Sequence, residues 1–264
     1  MTEIISSNKN DKIKYLKKLY SSSKRKKKGK FVLEGFRLIK QAYQSDAKFD
    51  YLFVTDSFAK SREYQEIISD SKLKDKEFLI TENLLNELSD TINPQGIIAV
   101  VSEINYKIDE IVNNAEKILV LDRIQDPGNL GTIIRTAAAS GFDAIISLKG
   151  TVDIYNLKVL RATAGAIFNI DFLNKLDYNM FNKYLKNDLA NYQLVCSDPI
   201  SENYYHKVNY DNKVILVIGN EGNGIRNDLL DKSDLKIKIP LKNGIESINA
   251  AMAAGILMYQ INTK

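Results

Sequence analysis

The stretch Val214-Ile-Leu-Val-Ile-Gly-Asn-Glu-Gly-Asn-Gly224 joins an unbroken apolar run to a polar loop with three glycines. A second stretch has the same form, because the run 236–239 is followed by Pro240 and the polar loop 241–249. Such continuous apolar runs are typical of strands buried on both faces of a parallel sheet. Ligands of these sheets bind beyond the carboxyl ends of the strands. The two loops therefore mark the predicted functional edge.

Around these two runs, strands and helices alternate. Further strands are predicted at 118–121, 144–148 and 193–196, and helices at 132–140, 154–163 and 181–190. This alternation predicts a mostly parallel sheet with helices on both faces. Residues 249–259 carry Ala and Gly where a surface helix would carry charge. We expect this last helix to be buried, with a partner subunit as one candidate for its cover.

The first hundred residues predict a smaller α/β domain. Its strands are expected at 30–35, 51–54, 77–80 and 97–101, and its helices at 11–20, 36–43, 62–68 and 83–88. The polar stretch 103–114 is interpreted as a linker. The predicted organisation is a basic N-terminal segment over 1–30, a first domain over 31–102, the linker, and a second domain over 115–264.

Composition narrows the function classes. The chain has 264 residues, of which 44% are hydrophobic, so it has enough apolar material for a core. A single cysteine excludes an internal disulfide framework and fits a reducing cytoplasm. The first residues contain no long apolar run, so we expect neither a signal peptide nor a membrane span.

Positive charge is concentrated at the N-terminus. Residues 1–30 contain eleven Lys and Arg against two acidic residues, a net +9, which leaves −5 for the rest of the chain. The run Lys24-Arg-Lys-Lys-Lys28 is expected to be too dense in charge to fold on itself. Such runs commonly meet phosphate backbones, and the alternative is a solvated segment without a partner.

Several polar residues follow the predicted strands. Arg135 lies one helical turn after Gly131 and suits a phosphate or carboxylate ligand, unless it forms an ion pair with Asp122 or Asp126. Glu221 holds either a ligand or another loop, or else is a solvated turn residue. Ser247 and Asn249 are candidate helix N-caps as well as candidate site residues.

Other chemistries find little support. His206 is predicted in a surface loop and Cys196 as a buried strand residue. One His and one Cys do not make a zinc site, and no G-x-S-x-G elbow or Walker loop is present. The glycines from Gly219 to Gly224 do not match G-x-G-x-x-G, which weakens a nicotinamide interpretation.

Three stretches together resemble one family. Residues 126–137, 216–225 and 239–255 look like motifs 1, 2 and 3 of the SpoU/TrmH class of RNA 2′-O-ribose methyltransferases in the SPOUT superfamily. Residues 160–168 resemble a further segment of that family. Residues 31–37 and 89–96 are similar to the L30e-like substrate-binding domain of its ribosomal RNA members.

This resemblance implies an α/β fold with a C-terminal trefoil-knotted SPOUT domain and a smaller N-terminal L30e-like α/β domain. It implies S-adenosylmethionine as cofactor, a homodimer, RNA as substrate and no membrane. The cofactor contacts carried over are Gly219, Ile239, Leu241 and Ile248. The catalytic constellation carried over is Asn129, Arg135, Glu221, Ser247 and Asn249. Ile248 in place of leucine and Ala250-Ala251 in place of Val-Ser are mild departures that remove no polar group.

The RNA contacts expected outside the catalytic domain are Lys24, Arg25, Lys26, Lys27, Lys28 and Arg37. Large-subunit ribosomal RNA is favoured as substrate because the first domain is of the L30e-like type. The alternatives are a transfer-RNA 2′-O-methyltransferase, a non-catalytic RNA-binding protein of the same fold, and a doubly wound enzyme acting on small molecules. Arg135 is expected to act with an RNA phosphate on the ribose hydroxyl, since a guanidinium normally stays protonated.

Overall fold

The computed structural model describes residues 4–68, 71–104 and 106–263. Within these ranges the helices are α1 Asp11–Leu19, α2 Ser22–Lys28, α3 Phe36–Gln44, α4 Asp56–Ala59, α5 Arg62–Ile68, α6 Glu82–Leu88, α7 Ile108–Asn114, α8 Pro127–Ala139, α9 Leu157–Thr163, α10 Tyr178–Lys186, α11 Asn227–Leu230 and α12 Ala250–Asn262. The strands are β1 Lys30–Glu34, β2 Phe49–Thr55, β3 Glu77–Ile80, β4 Ile97–Ser102, β5 Lys117–Asp122, β6 Ala144–Leu148, β7 Asp171–Leu176, β8 Gln193–Ser197, β9 Val214–Gly219 and β10 Leu235–Ile237. Single 3₁₀ segments cover Ser71–Lys76 and Ala166–Phe168.

The chain forms two compact units. The first contains residues up to 104 together with 155–168, and the second contains 105–154 and the residues from 169 onward. The sequence predicts an unbroken second domain from residue 115, and the structure differs at 155–168. Tyr155 explains the difference, because its ring stacks on Phe31 with centroids 4.3 Å apart and its hydroxyl donates to Ile104 O at 3.2 Å.

The first unit is built on a four-stranded sheet in the order β1-β4-β2-β3. Strand β4 is antiparallel to both β1 and β2, whereas β2 and β3 are parallel. Helix α1 covers the sheet with Ile13, Leu16 and Leu19, which are fully buried in a common cluster with strand residues such as Phe53. The N-terminal segment is therefore part of this unit's core.

The basic run folds into helix α2, which corrects the expectation that its charge prevents folding. Arg25 is 5% exposed, and its Nη1 donates to the carbonyls of Leu19 (3.0 Å) and Tyr20 (2.9 Å). This guanidinium donates hydrogen bonds to carbonyl groups at the end of α1, so one of the positive charges of the run is used inside the fold. The burial of Arg25 contradicts its predicted contact with RNA. Lys24, Lys27 and Lys28 are exposed, and the side chain of Lys26 lies outside the described part of the structure.

The second unit is built on a six-stranded parallel sheet in the order β10-β8-β9-β5-β6-β7. Its central strands are fully buried, as their unbroken apolar sequences predict. From β5 the chain runs outward to β6 and β7, then returns to the other side of β5 for β8, β9 and β10. The strand order therefore reverses between β5 and β9, where ligands of open α/β sheets bind.

The predicted linker 103–114 contains helix α7, whose Ile108 and Ile111 are buried in the core of the second unit. Ile108, Ile111 and Val112 have the i, i+3, i+4 spacing of a helix, so the apolar signal was present in the stretch interpreted as a polar linker. Strand β7 was likewise missed, because its sequence Asp-Phe-Leu-Asn-Lys-Leu mixes polar and apolar residues. The predicted bounds are confirmed for Glu77–Ile80 and Ala144–Leu148.

Helix α12 closes the second unit against α8. A Cβ at Gly255 would lie 3.4 Å from the methyl group of Thr136, and Asn262 Nδ2 donates to Ser140 O at 2.7 Å. The predicted burial of α12 holds for one face of the helix, whereas Met252 and Tyr259, outside that face, are 61% and 50% exposed. No helix within the described ranges has the length and apolar character needed to cross a membrane.

Candidate active site

The site lies at the carboxyl ends of β5 and β9, the strands between which the sheet order reverses. Asp122, the last residue of β5, is aligned with Gly219, the last residue of β9. The loop after β5 runs through Arg123 and Gln125 to helix α8, and the loop after β9 covers 220–226. The loop after β9 and residues 126–137, which follow β5, were singled out from sequence, and the structure joins them.

Asp122 anchors the two loops. Its side chain is 0% exposed. It accepts three hydrogen bonds from Arg226, from Nη2 at 2.6 Å, from Nε at 3.0 Å and from the backbone N–H at 2.9 Å. Arg123 adds donors from Nε and Nη2, both at 3.1 Å. Burial alone would raise the pKa of Asp122, but the hydrogen bonds from Arg226 and Arg123 outweigh it and hold the pKa below its usual value. The carboxylate therefore stays charged and fixes both loop starts.

The loop after β9 folds back tightly on the strand end. Asn220 N–H donates to Gly224 O at 3.0 Å, and Gly224 N–H donates to Asn220 O at 2.9 Å. A Cβ at Gly219 would lie 2.3 Å from the backbone of Gly224, so only glycine fits at this position. The Asn220 side chain continues across the gap, since its Nδ2 donates to Arg123 O at 2.8 Å.

Glu221 connects the loops a third time. Its carboxylate accepts the backbone N–H groups of Gln125 (3.1 Å) and Asp126 (3.2 Å) and the side-chain Nδ2 of Asn129 (3.0 Å). Desolvation alone would raise the pKa of Glu221. The hydrogen bonds from Asn129 and from the two backbone groups have a larger, opposite effect, so the pKa lies below its usual value. Glu221 thus holds another loop, one of the roles considered from sequence, while its side chain remains exposed in the turn.

Asn129 links Glu221 to the start of the last helix by hydrogen bonds. While its Nδ2 contacts Glu221, its Oδ1 accepts the side-chain N–H of Asn249 at 2.8 Å. Asn249 is also the N-cap of α12, because its own Oδ1 accepts the N–H groups of Ala251 (2.9 Å) and Met252 (3.2 Å). Three predicted site residues thus form one hydrogen-bonded chain, Glu221–Asn129–Asn249.

Arg135 lies on the exposed face of α8, six residues after Asn129. The alternative of an ion pair with Asp122 or Asp126 is wrong. Asp122 is engaged by Arg226 and Arg123, and Asp126 caps α8 by accepting the Asn129 N–H at 2.8 Å. Among the described residues, none forms an ion pair or hydrogen bond with the Arg135 guanidinium. Its charge and donors are therefore available to an anionic ligand.

The segment between β10 and α12 carries the remaining predicted residues. Ile239, Leu241 and Ile248 are half-buried, and Ser247 is exposed directly before the Asn249 region. Within residues 239–249 the backbone forms one internal hydrogen bond, from Ile245 N–H to Lys242 O at 3.3 Å. Apolar side chains beside available backbone donors and acceptors fit an adenosine group, which needs an apolar surface and hydrogen bonds to its ring edge. These residues therefore fit S-adenosylmethionine.

Sequence reasoning missed three residues that organise the site: Asp122, Asn220 and Arg226. Asp122 was considered only as a partner for Arg135, and Arg226 was not considered. Arg226 is also fixed by its guanidinium, which lies 4.0 Å over the Tyr178 ring. An acidic residue at the end of an apolar strand was the available signal, since a buried charge needs a partner.

The two residues excluded from chemistry occupy the predicted environments. His206 is exposed in the loop before β9, and Cys196 is fully buried in β8. Burial raises the pKa of the Cys196 thiol to about 12, so it remains protonated. Within the part of the chain that the structure describes, no three His, Cys, Asp or Glu side chains cluster as metal ligands.

Comparison with known proteins agrees with the family resemblance of the sequence. Residues 116–259 match the SpoU rRNA methylase family, and residues 10–99 match the MRM3-like substrate-binding domain. The chain is 33% identical over 257 residues to the 23S rRNA (guanosine(2553)-2′-O)-methyltransferase RlmP of Bacillus subtilis. The aligned region covers 97% of this chain and 98% of that protein. It is 31% identical over 283 residues to rRNA methyltransferase 3A, mitochondrial, of Danio rerio, covering 89% of this chain and 64% of that protein.

A solved structure agrees in fold over the whole length. The AdoMet-bound rRNA methyltransferase of Sinorhizobium meliloti superposes with a TM-score of 0.87 at 25% identity, covering 99% of this chain and 98% of that one. The predicted fold class, an α/β methyltransferase domain preceded by a smaller substrate-binding domain, is confirmed. So are the predicted enzyme class and S-adenosylmethionine as cofactor. The chain belongs to the SpoU rRNA methylase family of S-adenosylmethionine-dependent RNA methyltransferases.

Proposed function

We propose that this protein methylates the 2′-hydroxyl of one ribose in large-subunit ribosomal RNA. Its catalytic site is formed by Asn129, Arg135, Glu221, Ser247 and Asn249, in which Arg135, Ser247 and Asn249 contact the substrate and Asn129 and Glu221 position the site. The observation that carries the proposal is the chain Glu221–Asn129–Asn249, which links motifs 1, 2 and 3 by side-chain hydrogen bonds of 3.0 and 2.8 Å. Arg135, an exposed residue of the same helix α8 as Asn129, has no carboxylate partner among the described residues. A positioned polar cluster with a free cation is what a reaction on RNA requires.

The chemistry asks little of the protein beyond alignment and charge. S-adenosylmethionine supplies an electrophilic methyl group on a sulfonium, and the ribose hydroxyl must lose its proton as its oxygen gains that methyl. In this proposal Arg135 holds the phosphate next to the reacting ribose and stabilises charge developing on the 2′-oxygen. The phosphate accepts the proton, because a guanidinium stays protonated and cannot act as base. Ser247 and Asn249 orient the hydroxyl.

Glu221 has a positioning role in this scheme. It fixes the loop that leads into α8 and Asn129, through the backbone N–H groups of Gln125 and Asp126. Gly219, Ile239, Leu241 and Ile248 would hold the cofactor, largely through backbone groups and apolar contact. Lys24, Lys27, Lys28 and Arg37 would contact RNA outside the catalytic unit.

The proposal includes a homodimer. Met252 and Tyr259 stand seven residues apart on one face of α12, and Ile245 in the preceding loop is 57% exposed. An apolar face of this kind favours a protein partner, and a second copy is the partner that the family resemblance suggests. The expected result of analytical ultracentrifugation is a dimer that Tyr259→Lys weakens.

The substrate proposal rests on the whole-length relatives. The Bacillus subtilis relative is a methyltransferase of guanosine 2553 in 23S ribosomal RNA, so the corresponding guanosine is the first nucleotide to test here. The proposal includes a cytoplasmic location, since a reduced cysteine and an RNA substrate both fit that compartment.

The test maps 2′-O-methyl groups across ribosomal and transfer RNA from cells with and without the gene. We expect loss of one site in large-subunit ribosomal RNA. A lost site in transfer RNA would keep the reaction and replace the substrate. No lost site, together with no calorimetric binding of S-adenosylmethionine, would leave a non-catalytic RNA-binding protein.

Arg135→Lys tests the role of the guanidinium. It keeps one positive charge but removes the planar, bidentate donor set, so turnover should fall at least tenfold while RNA affinity changes little. Arg62→Gln, on the exposed surface of α5, is the control and should behave as wild type. Near-normal turnover of Arg135→Lys would overturn the assignment.

A further inference from the structure

The first unit contains a cavity of about 340 Å³ that the proposed mechanism does not use. Its lining comes from three separate stretches: residues 34–38, residues 89–97 and residues 160–164. These coincide with the stretches 31–37, 89–96 and 160–168, by which the sequence resembles the family outside motifs 1 to 3. These three stretches, 51 and 63 positions apart in the sequence, thus line one space.

One wall of the cavity is fixed by a buried carboxylate. Glu34 is 8% exposed and accepts hydrogen bonds from the Tyr20 hydroxyl (2.9 Å), the Ser89 hydroxyl (2.8 Å) and the Asp90 backbone N–H (3.1 Å). Arg161 of α9 forms an ion pair with the Asp90 side chain at 2.9 Å. Glu34 and Arg161 therefore both fix the start of the loop 89–97, and its other end continues into strand β4, so the cavity is preformed.

Gln95 presents a fixed amide to the cavity. Its Oε1 accepts the N–H of Phe36 at 2.9 Å, at the start of α3. Gly35 has a φ of 91°, and a Cβ there would lie 2.8 Å from Gln95 Oε1, so glycine is required for this close approach. Because Oε1 is engaged, the Nε2 donors of Gln95 remain for a ligand.

The rest of the lining divides into an apolar and a polar part. Pro94, which is half-buried, and Ala164, which is exposed, supply apolar surface, and Leu38, Ile97 and Leu160 are buried beneath it. Arg37 and Asn93 are exposed at the cavity and form no hydrogen bond or ion pair with a described residue. A volume in this range, apolar surface and a few convergent polar groups are the usual properties of a small-ligand site.

We propose that this cavity binds one unpaired nucleotide of the RNA substrate. The base lies against the apolar side chains, the amides of Asn93 and Gln95 contact its edge, and Arg37 binds the adjoining phosphate. Proteins recognise RNA sequence mainly through unstacked bases of this kind, with amide groups on base edges and Arg on the backbone. The inference rests on the proposed function, since the ligand is part of that substrate.

The test measures binding of a transcript of the 23S ribosomal RNA segment around the guanosine corresponding to 2553, by fluorescence anisotropy with the full-length protein. Arg37→Gln and Asn93→Ala should each raise the Kd about tenfold, the effect of one lost base or phosphate contact of about 1.4 kcal/mol. The matched control Arg62→Gln should leave it unchanged. Affinity for S-adenosylmethionine should be equal in all four proteins.

An abasic scan of the same RNA distinguishes a nucleotide site from a general charge effect. Removing one unpaired base should weaken wild-type binding about tenfold. The same abasic RNA should bind Asn93→Ala no more weakly than intact RNA does, because partners in one contact are not additive. Additive losses at every position, or unchanged Kd values in both variants, would overturn the inference.

Methylation of the intact transcript is measured alongside binding, so that the two proposals fail separately. Methylation with unchanged binding in both variants rejects the cavity as a nucleotide site. Cavity-dependent binding without methylation supports the cavity and rejects the proposed reaction on this RNA.

Discussion

Asn249 caps the last helix and, with the same side chain, donates a hydrogen bond of 2.8 Å to Oδ1 of Asn129, 120 positions earlier in the chain. Its Oδ1 serves the helix and its Nδ2 serves the site. Stability of α12 and geometry of the site therefore depend on different atoms of one residue, and the two can be separated by substitution.

Asn249→Asp should separate them. Aspartate keeps the oxygen that caps α12 but cannot donate to Asn129, and it adds a negative charge close to Glu221. We expect methyl transfer to fall at least tenfold, with a melting temperature near that of wild type. Asn249→Ala loses both functions, and should also lose about 1 kcal/mol of stability. Equal activity of Asn249→Asp and wild type would show that the contact with Asn129 is dispensable.

Asp122→Asn should destabilise the second unit. The amide would direct N–H donors at the Arg226 guanidinium, and one charge would lose its buried partner, at a cost of about 3 kcal/mol in the free energy of unfolding. Urea titration measures this cost. The control is Asp126→Asn, since asparagine caps a helix as well as aspartate. Equal effects of the two substitutions would contradict the anchoring role of Asp122.

The same carboxylate predicts how stability depends on pH. The pKa of Asp122 is lower in the folded protein than its ordinary value, so its contribution is present above about pH 4 and is lost as the pH falls further. Glu221 has the same sign. Wild-type stability should therefore decline below about pH 4, and Asp122→Asn should show a smaller decline. A decline of equal size in both proteins would assign the effect to other groups.

Cys196 should resist alkylation in the folded protein. The thiol is fully buried and its pKa is raised to about 12, so little thiolate is present and reagents cannot reach it. Mass spectrometry after iodoacetamide treatment at pH 8 should detect modification only in denaturant. Glu202→Cys, which places a thiol on an exposed loop position, should add one rapidly modified site. Rapid native modification at Cys196 would contradict the buried environment.

The basic helix α2 should contribute to RNA binding through its exposed lysines. Neutralising Lys24, Lys27 and Lys28 to glutamine should reduce the slope of log K against log salt by about 2, at about 0.7 for each lost phosphate contact. Arg25→Gln should instead lower the melting temperature, because Arg25 bonds to Leu19 and Tyr20 within the fold. An unchanged slope in the triple variant would remove α2 from the RNA-binding surface.

The sequence predicted the sheet of the second unit well because its strands are continuous apolar runs, which leave little ambiguity about burial. It also predicted Asn129, Glu221 and Asn249, and the structure connects them. The ion pair of Asp122 with Arg226 could not be read in the same way. These residues are 104 positions apart, and a charge partner is chosen by three-dimensional proximity, which no local pattern encodes.

The prediction for the basic run was wrong for a related reason. Counting charge predicted that residues 24–28 stay unfolded, because like charges repel when the segment is considered alone. In the fold, α1 ends beside the run, and its free carbonyl groups accept the Arg25 guanidinium. Tertiary contact thus outweighed local repulsion.

Residues 155–168 belong to the first unit although they follow four elements of the second, α7, β5, α8 and β6. During synthesis, domains generally fold in order from the N-terminus as they leave the ribosome. Here the first unit stays incomplete until residue 168 has emerged. The ring of Phe31 can stack on Tyr155, and β1 can pack against α9, only after those later residues have been synthesised. The nascent chain must therefore hold an unfinished first unit while the strands of the second are already being made.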